Sequence, residues 1–239
     1  MSRQKYVIMM AAGSGTRMGG PLPKQFLDLN GRPVLRRSIE VFLEAFPEIK
    51  VVTVLPEGYV GYWKEYCLEH NFICPQIIVK GGITRFHSVR NALDRIPDGA
   101  LVAVHDGVRP LVSPLLVRSI FDAAEEREGV IPVVPCVDTV KVLEPVASGD
   151  GAAELNAVPG ASVDRSMLFF AQTPQVFHSE LIRQAYSQAY DTSFTDDASV
   201  VAEYGKNLSY VMGERFNIKI TTQDDIFIAK AVMSMRDEA

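Results

Sequence analysis

The sequence predicts an α/β protein built on a mostly parallel sheet with helices on both faces. Three observations predict it. Short β-branched or apolar runs alternate with stretches of helical spacing. The runs are apolar throughout rather than alternating, as in strands buried on both faces. Glycine or proline closes most of them, which separates the elements cleanly. Strand and helix in alternation produce a parallel sheet sandwiched by helices.

The elements follow in order. Lys5–Met10 (KYVIMM) is an apolar run stopped by glycines and reads as the first strand. Pro33–Phe46 carries Val34, Leu35, Ile39, Phe42, Leu43 and Phe46 at helical spacing. Pro33 suits a first helical turn. Lys50–Leu55 (KVVTVL) is the second strand, ended by Pro56. Residues 58–70 read as a helix with Tyr59, Tyr62, Trp63 and Tyr66 on one side. Gln76–Lys80 is a strand stopped by Gly81-Gly82, and Ser88–Arg95 is helical. Ala100–Val104 is a buried strand running into His105-Asp106, and Pro114–Glu128 is helical. Gly129–Val134 is another buried strand, and Thr139–Leu143 (TVKVL) alternates like a half-exposed one. Residues 144–163 break the rhythm with two prolines, three glycines and many small side chains. An excursion of that length inside a compact domain is functional or disordered. Glu180–Ala189 and Asp196–Tyr204 then read as helices, Leu208–Met212 and Asn217–Ile220 as strands, and Gln223–Met235 as a closing helix.

Composition narrows the function. Of 239 residues, 47% are hydrophobic and 22% charged, enough for a sizeable core. The net charge of −5 argues against a general nucleic-acid binder. Its distribution is uneven. Residues 1–40 carry seven basic side chains against Asp28 and Glu40, a local +5. Three scattered cysteines (Cys67, Cys74, Cys136) suit reduced thiols in a cytoplasmic protein, with no disulfide framework and no zinc site. No apolar run is long enough to span a bilayer, so no membrane partner is expected.

In parallel sheets, ligands bind at the carboxyl ends of the strands. Four segments fall there: 11–24, 81–88, 105–110 and 217–222. The first reads Ala11-Ala12-Gly13-Ser14-Gly15-Thr16-Arg17-Met18, then Pro23-Lys24-Gln25. Small residues after a buried strand let backbone N–H groups cradle phosphate. The Gly-Lys-Ser/Thr of the common phosphate loop is missing. A dinucleotide fingerprint would need glycine where Met18 stands, and an acidic residue at the end of the second strand. The remaining reading is a nucleotidyltransferase signature. Attack of a phosphoryl oxygen on an α-phosphorus builds a five-coordinate, highly anionic centre, and cations aimed at it are the largest available catalytic term. Arg17 and Lys24 are the candidates. Their alternative is ordinary surface solvation, the reading given to Arg36 and Arg37 on the following helix.

Gly81-Gly82 permits close backbone approach to a flat ring, and Ser88 can hydrogen-bond it, although a plain turn also explains the glycines. His87 is a general base or, with no carboxylate or nucleophile beside it in sequence, a solvated or capping side chain. Asp106 ends a buried strand, where an aspartate should face the crevice and hold a ribose hydroxyl or a phosphate-bound Mg²⁺. Arg109 pairs with Asp106 or binds a phosphate. Arg165 follows the excursion. Lys219 lies between apolar neighbours, facing either solvent or the site.

These segments together resemble the 2-C-methyl-D-erythritol 4-phosphate (MEP) cytidylyltransferase family of the non-mevalonate isoprenoid route. The motifs are AAGSGTRM with PKQF, GGITRFHSV, VHDGVRP, VDTVK, VDR, QTPQVF, FTDDAS and NIKIT, in family order and spacing over nearly the whole chain. The resemblance implies a three-layer, Rossmann-like nucleotidyltransferase fold with a twisted sheet and a protruding β-arm. It implies one domain over 1–239, with the arm at about 137–165 joining a homodimer. It implies transfer of CMP from CTP to MEP with Mg²⁺ and release of pyrophosphate, with no organic cofactor beyond CTP. Arg17 and Lys24 would stabilise the transition state, and Arg165 and Lys219 would position the MEP phosphate. Ala11, Ala12, Gly13, Gly15, Gly82 and Ser88 would frame the cytidine. Asp106, Arg109, Thr139 and Thr195 would line the substrate pocket. The same resemblance turns Lys219 toward the site. Two positions depart from the family pattern: Ile83, where an acidic residue is common, and Gly107-Val108, where Ala-Ala is. A sister family acting on ribitol 5-phosphate shares several motifs, and the Val-Asp-Arg run at 163–165 favours MEP. A dinucleotide-dependent dehydrogenase is the alternative from another class.

Overall fold

The structure is a computed structural model and describes residues 3–13, 22–147 and 153–237. The main sheet is ordered β10-β7-β11-β6-β1-β4-β5, with β12 on the far side of β7. Its strands are β1 (Gln4–Met10), β4 (Lys50–Leu55), β5 (Gln76–Lys80), β6 (Ala100–Asp106), β7 (Gly129–Pro135), β10 (Phe169–Ala171), β11 (Gln175–His178) and β12 (Ser209–Met212). Two small hairpins stand apart, β2 (Asp28–Leu29) with β3 (Arg32–Pro33), and β8 (Leu143–Ala147) with β9 (Ala153–Ala157). The helices are α1 (Val34–Ala45), α2 (Val60–Glu69), α3 (Arg85–Leu93), α4 (Pro114–Glu126), α5 (Ser179–Ala185), α6 (Asp197–Glu203) and α7 (Gln223–Asp237).

Strand pleating divides the apolar runs between two cores. Val7, Met9, Val51, Leu101 and Ala103 join Leu35, Ile39, Phe42, Val117 and Phe121 of α1 and α4. Ile8, Val52, Val54, Val102 and Val104 join Val89, Ile182 and Val201 of α3, α5 and α6. Every residue of β6 is buried, which explains why the run carries no alternation. A third cluster seats α7 against Leu29, Val108 and Ile220.

Four expectations need correction. Thr139–Val142 is not a strand: β8 begins at Leu143, because alternation alone supplies no pairing partner. Within the excursion at 144–163, the described residues include most of the β8–β9 hairpin. Asn217–Ile220 is irregular: the Ile218 N–H bonds Phe216 O and the Ile220 N–H bonds Val108 O, so no ladder forms. Phe169–His178 supplies two strands that the sequence pattern does not announce, and β11 enters antiparallel between β6 and β7. Arg36 and Arg37 are not simply solvated. Arg36 pairs with Glu40 at 2.8 Å and lies over the Phe72 ring, and Arg37 donates to the Leu29 and Asn30 carbonyls.

Candidate active site

After β1, the chain runs to β4 and β5 on one side and to β6 on the other. The carboxyl ends of β1 and β6 therefore flank a topological switch point, where open α/β sheets bind ligands. A cleft of about 520 Å³ opens there. It is lined by Ala11, Ala12, Gly13, Lys24, Gly82, Ser88, Asp106 and Lys219, all anticipated from sequence, together with Ile83, Arg85 and Thr221. Arg17 and Gly15 lie outside the described residues.

Local anchors hold the loop that leaves β1. Gln25 is buried and its Nε2 donates to Ala11 O at 2.7 Å and Gly13 O at 3.1 Å. Phe26 is sunk among Tyr59, Tyr62 and Trp63. These two neighbours fix the single 3₁₀ turn Lys24–Phe26, which carries Lys24 to the cleft. Gln25 was quoted in the sequence motif, but its role depends on where the loop folds back.

The second wall is a close approach. A Cβ on Gly81 would sit 2.6 Å from Ala12 Cβ, and one on Gly82 2.6 Å from His87 Cβ, so side chains are excluded there. Ser88 Oγ accepts the Gly82 N–H at 2.9 Å and donates to Thr84 O. Its hydroxyl thus holds the glycine turn in place. His87 leans on Thr84, with Nδ1 and Oγ1 2.8 Å apart, and is not among the lining residues. Ile83 stands 95% exposed at the lip. At Gly107 a Cβ would meet Leu35 Cδ1 at 2.9 Å, while Val108 is buried in the α7 cluster, so the Gly107-Val108 departure fits its surroundings.

Asp106 is the electrostatic centre. Its Oδ2 takes Lys219 Nζ at 3.0 Å and Arg109 Nε at 3.2 Å. Burial pushes the carboxyl toward neutrality, but Lys219, Arg85 and Arg109 outweigh it and hold Asp106 well below the usual carboxylate range. Lys219 therefore faces the site, against the solvent-face reading of its apolar neighbours. Arg85 is the cleft cation that sequence reading missed. It grips the fully buried Asp197 through two bonds of 2.8 and 2.5 Å. Burial opposes its charge, and Asp197 more than restores it. The signal was available only as a helix-start arginine; its partner lies 112 residues away. Among Lys24, Arg85, Arg109, Lys219, Asp106 and Asp197, cations exceed anions by two. The cleft thus suits a polyanion.

Arg165, Thr139 and Thr195 are exposed and do not line this cleft. Arg165 donates to Val137 O at 2.9 Å. The Thr195 N–H donates to Ser199 Oγ beside α6.

His105 supports the Asp106 turn from behind. Arg109 O can only accept, so His105 Nε2 carries the proton at 3.1 Å. Nδ1 then accepts from Thr173 Oγ1, which in turn accepts the Asp106 N–H. Burial lowers this imidazole to about 4. Its folded value thus lies below the unfolded value of about 6.5, and between the two the unfolded chain binds the extra proton. Stability should fall as pH falls, by about 1.5 kcal/mol from pH 6.5 to 5. Urea unfolding at pH 7, 6 and 5 measures the slope, and His105→Gln should flatten it. An equal slope in both proteins would refute the assignment.

A glycine-rich strand end, convergent cations and an ionised aspartate at a switch point define a nucleotide-handling α/β protein of the nucleotidyltransferase type. The family model for 2-C-methyl-D-erythritol 4-phosphate cytidylyltransferase matches residues 6–235. The chain is 42% identical to the enzyme of that name from Phocaeicola vulgatus over 230 residues, covering 96% of this chain and 99% of the relative. The crystal structure of 4-diphosphocytidyl-2C-methyl-D-erythritol synthase from Anaerococcus prevotii superposes with TM-score 0.77 at 27% identity, covering 97% and 99% of the two chains. That of the Thermus thermophilus cytidylyltransferase gives 0.70 at 30%, covering 98% and 100%. The chain belongs to the 2-C-methyl-D-erythritol 4-phosphate cytidylyltransferase family.

Proposed function

We propose that this protein transfers CMP from CTP to MEP, and that the cleft beside Asp106 is where it does so. A phosphate oxygen of MEP attacks the α-phosphorus of CTP in line. The new P–O bond forms as the bond to the β-phosphate oxygen breaks, and pyrophosphate leaves with that electron pair. Ala11, Ala12, Gly13, Gly15, Gly82 and Ser88 frame the nucleotide. Arg17 and Lys24 face the charge that develops at phosphorus. Lys219, held by Asp106, and Arg165 orient the attacking phosphate; Arg109, Thr139 and Thr195 complete the acceptor side. The observation that carries the reading is Lys24 and Lys219 lining one cleft with the glycine-rich strand end.

Mg²⁺ fits this donor set. Asp106 is an ionised hard-oxygen ligand, with Lys219 and Arg109 both on its Oδ2. Among the described residues no trio of acidic, His or Cys side chains forms a metal cage. Mg²⁺ commonly takes one carboxylate and substrate phosphates, which is what this cleft offers. When bound, the ion would neutralise triphosphate charge, with Asp106 as its protein ligand.

Residues 1–239 act as one domain, with the arm at about 137–165 reaching a second copy. Val137 and Leu155 along this stretch, and Met167, Phe169 and Phe170 just after it, are at least half exposed, as a face awaiting a partner would be. Arg165 and Thr139 then serve the neighbour's cleft. Light scattering at twice the 26.4 kDa chain mass checks this. The location proposed is cytoplasmic; among the described residues no helix is long and apolar enough to cross a membrane.

The test is pyrophosphate release. It should require CTP, MEP and a divalent cation together. Ribitol 5-phosphate in place of MEP should give a small fraction of the rate. Equal or greater turnover of ribitol 5-phosphate would overturn the acceptor assignment, and protection from unfolding by NAD(H) alone would overturn the class.

A further inference from the structure

We infer that Gln172 is a positioning residue for the reaction and acts by setting the place of Lys219. This rests on the cytidylyl-transfer reading. Lys219 sits in the irregular segment 213–222 between β12 and α7, so no ladder or helix holds its backbone. The polar groups of such a segment must find partners elsewhere. Gln172, only 6% exposed, supplies them from the bend between β10 and β11. Its Nε2 donates to Glu214 O at 2.9 Å and Asn217 O at 3.4 Å. Its Oε1 accepts from Glu214 N at 3.2 Å and Asn217 Nδ2 at 3.4 Å. A neutral amide carries a donor and an acceptor on separate atoms, so one residue satisfies both ends of the turn.

The fit is close from the other side too. A Cβ on Gly213 would lie 2.4 Å from Gln172 Oε1, so the loop admits the amide only because residue 213 has no side chain. Asn217, two residues before Lys219, also donates to Thr173 O at 2.9 Å and receives Arg109 on its carbonyl at 2.7 Å. Thr173 meanwhile binds the Asp106 N–H. The Gln172-Thr173 pair therefore ties together the backbones that bear Lys219 and Asp106. Their 3.0 Å ion pair is a consequence of that tie. Gln172 does not line the cleft, so it acts on substrate through the groups it places, Lys219 first, with Arg109 reached through the Asn217 carbonyl.

The experiment compares Gln172→Leu, Lys219→Ala and the double variant. Displacement of a positioned group by about 1 Å can cost up to a hundredfold, so Gln172→Leu should lower kcat by about tenfold or more. KM for CTP should change less than about threefold, with rates expressed per folded molecule. In the Lys219→Ala background the same substitution should cost less than about twofold, because the group it positions is gone. Gly213→Ala, which leaves the amide but crowds it, should reproduce the kcat loss and serves if Gln172→Leu folds poorly. Two results would overturn the inference: normal kcat in Gln172→Leu or Gly213→Ala, or a loss that is undiminished without Lys219. Absence of any turnover in the unaltered protein with CTP and MEP would instead refute the underlying reading.

Discussion

Lys24→Ala is expected to lower kcat for pyrophosphate release by about a hundredfold or more, with little change in thermal stability. The magnitude is that of removing one preorganised donor from a charge-developing transition state. The loss belongs in kcat because the charge at the α-phosphorus grows only as the bond forms, so the ammonium is worth more there than to bound CTP. The stability expectation follows from the anchoring. Gln25 and Phe26, both buried, hold the Lys24–Phe26 turn, and neither is altered. Lys219→Ala should show a comparable loss with one difference. It also strips a cation from Asp106, which is left with Arg109 on the same oxygen. Steady-state rates with both substrates, alongside melting curves, test the pair. A Lys24→Ala enzyme within about fivefold of the parent would remove Lys24 from the transition state.

Some of this was legible in sequence for definite reasons. Strands β1, β4 and β6 are largely buried, so their apolar runs announced them, as did the shorter run of the edge strand β5, where Val79 alone is buried; the switch point appears only in the strand order of the folded sheet. The lining positions Ala11 to Gly13, Gly82 and Asp106 sit at the ends of those strands, where a motif can be placed by counting. What stayed hidden depends on distant partners. Strand β11 is four residues long, follows a proline, and is defined by pairing with β6 and β7 across more than 40 residues of chain. Lys219 could not be oriented by periodicity because its segment has no period. In the stretch 81–88, His87 and Ser88 drew attention as chemically able groups. Yet Ser88 braces the turn, His87 is no lining residue, and the lining cation is Arg85. Residues of the QTPQVF motif carried family resemblance but no chemistry. Gln172, Thr173 and Gln175 act by reaching 213–217, 105–106 and 196–198, which only the fold brings near.

Arg85→Ala is expected to destabilise the fold by about 3–5 kcal/mol, the cost of leaving a buried charge without its partner. Asp197 is wholly buried at the start of α6, and its two oxygens are taken by Arg85, with Tyr186 Oη adding a bond of 2.5 Å. Without the guanidinium, one tyrosine hydroxyl cannot repay the desolvation of a carboxylate. The argument also predicts how the loss is relieved. Arg85→Met with Asp197→Leu removes both charges together and fills much of the same volume, so it should cost less than Arg85→Ala alone. Urea-unfolding midpoints of the two proteins decide the matter. A single variant that costs less than about 1 kcal/mol, or a double variant worse than the single, would mean that the pair does not carry the burial of Asp197. The outcome bears on the cleft as well. Arg85 lines it only while Asp197 holds the guanidinium in the first turn of α3, and that same charge helps keep Asp106 ionised beside Lys219. The double variant should therefore regain stability without regaining the parent's electrostatics. A fold restored by apolar replacement, with turnover still reduced, would separate what the ion pair contributes to the protein from what it contributes to the chemistry.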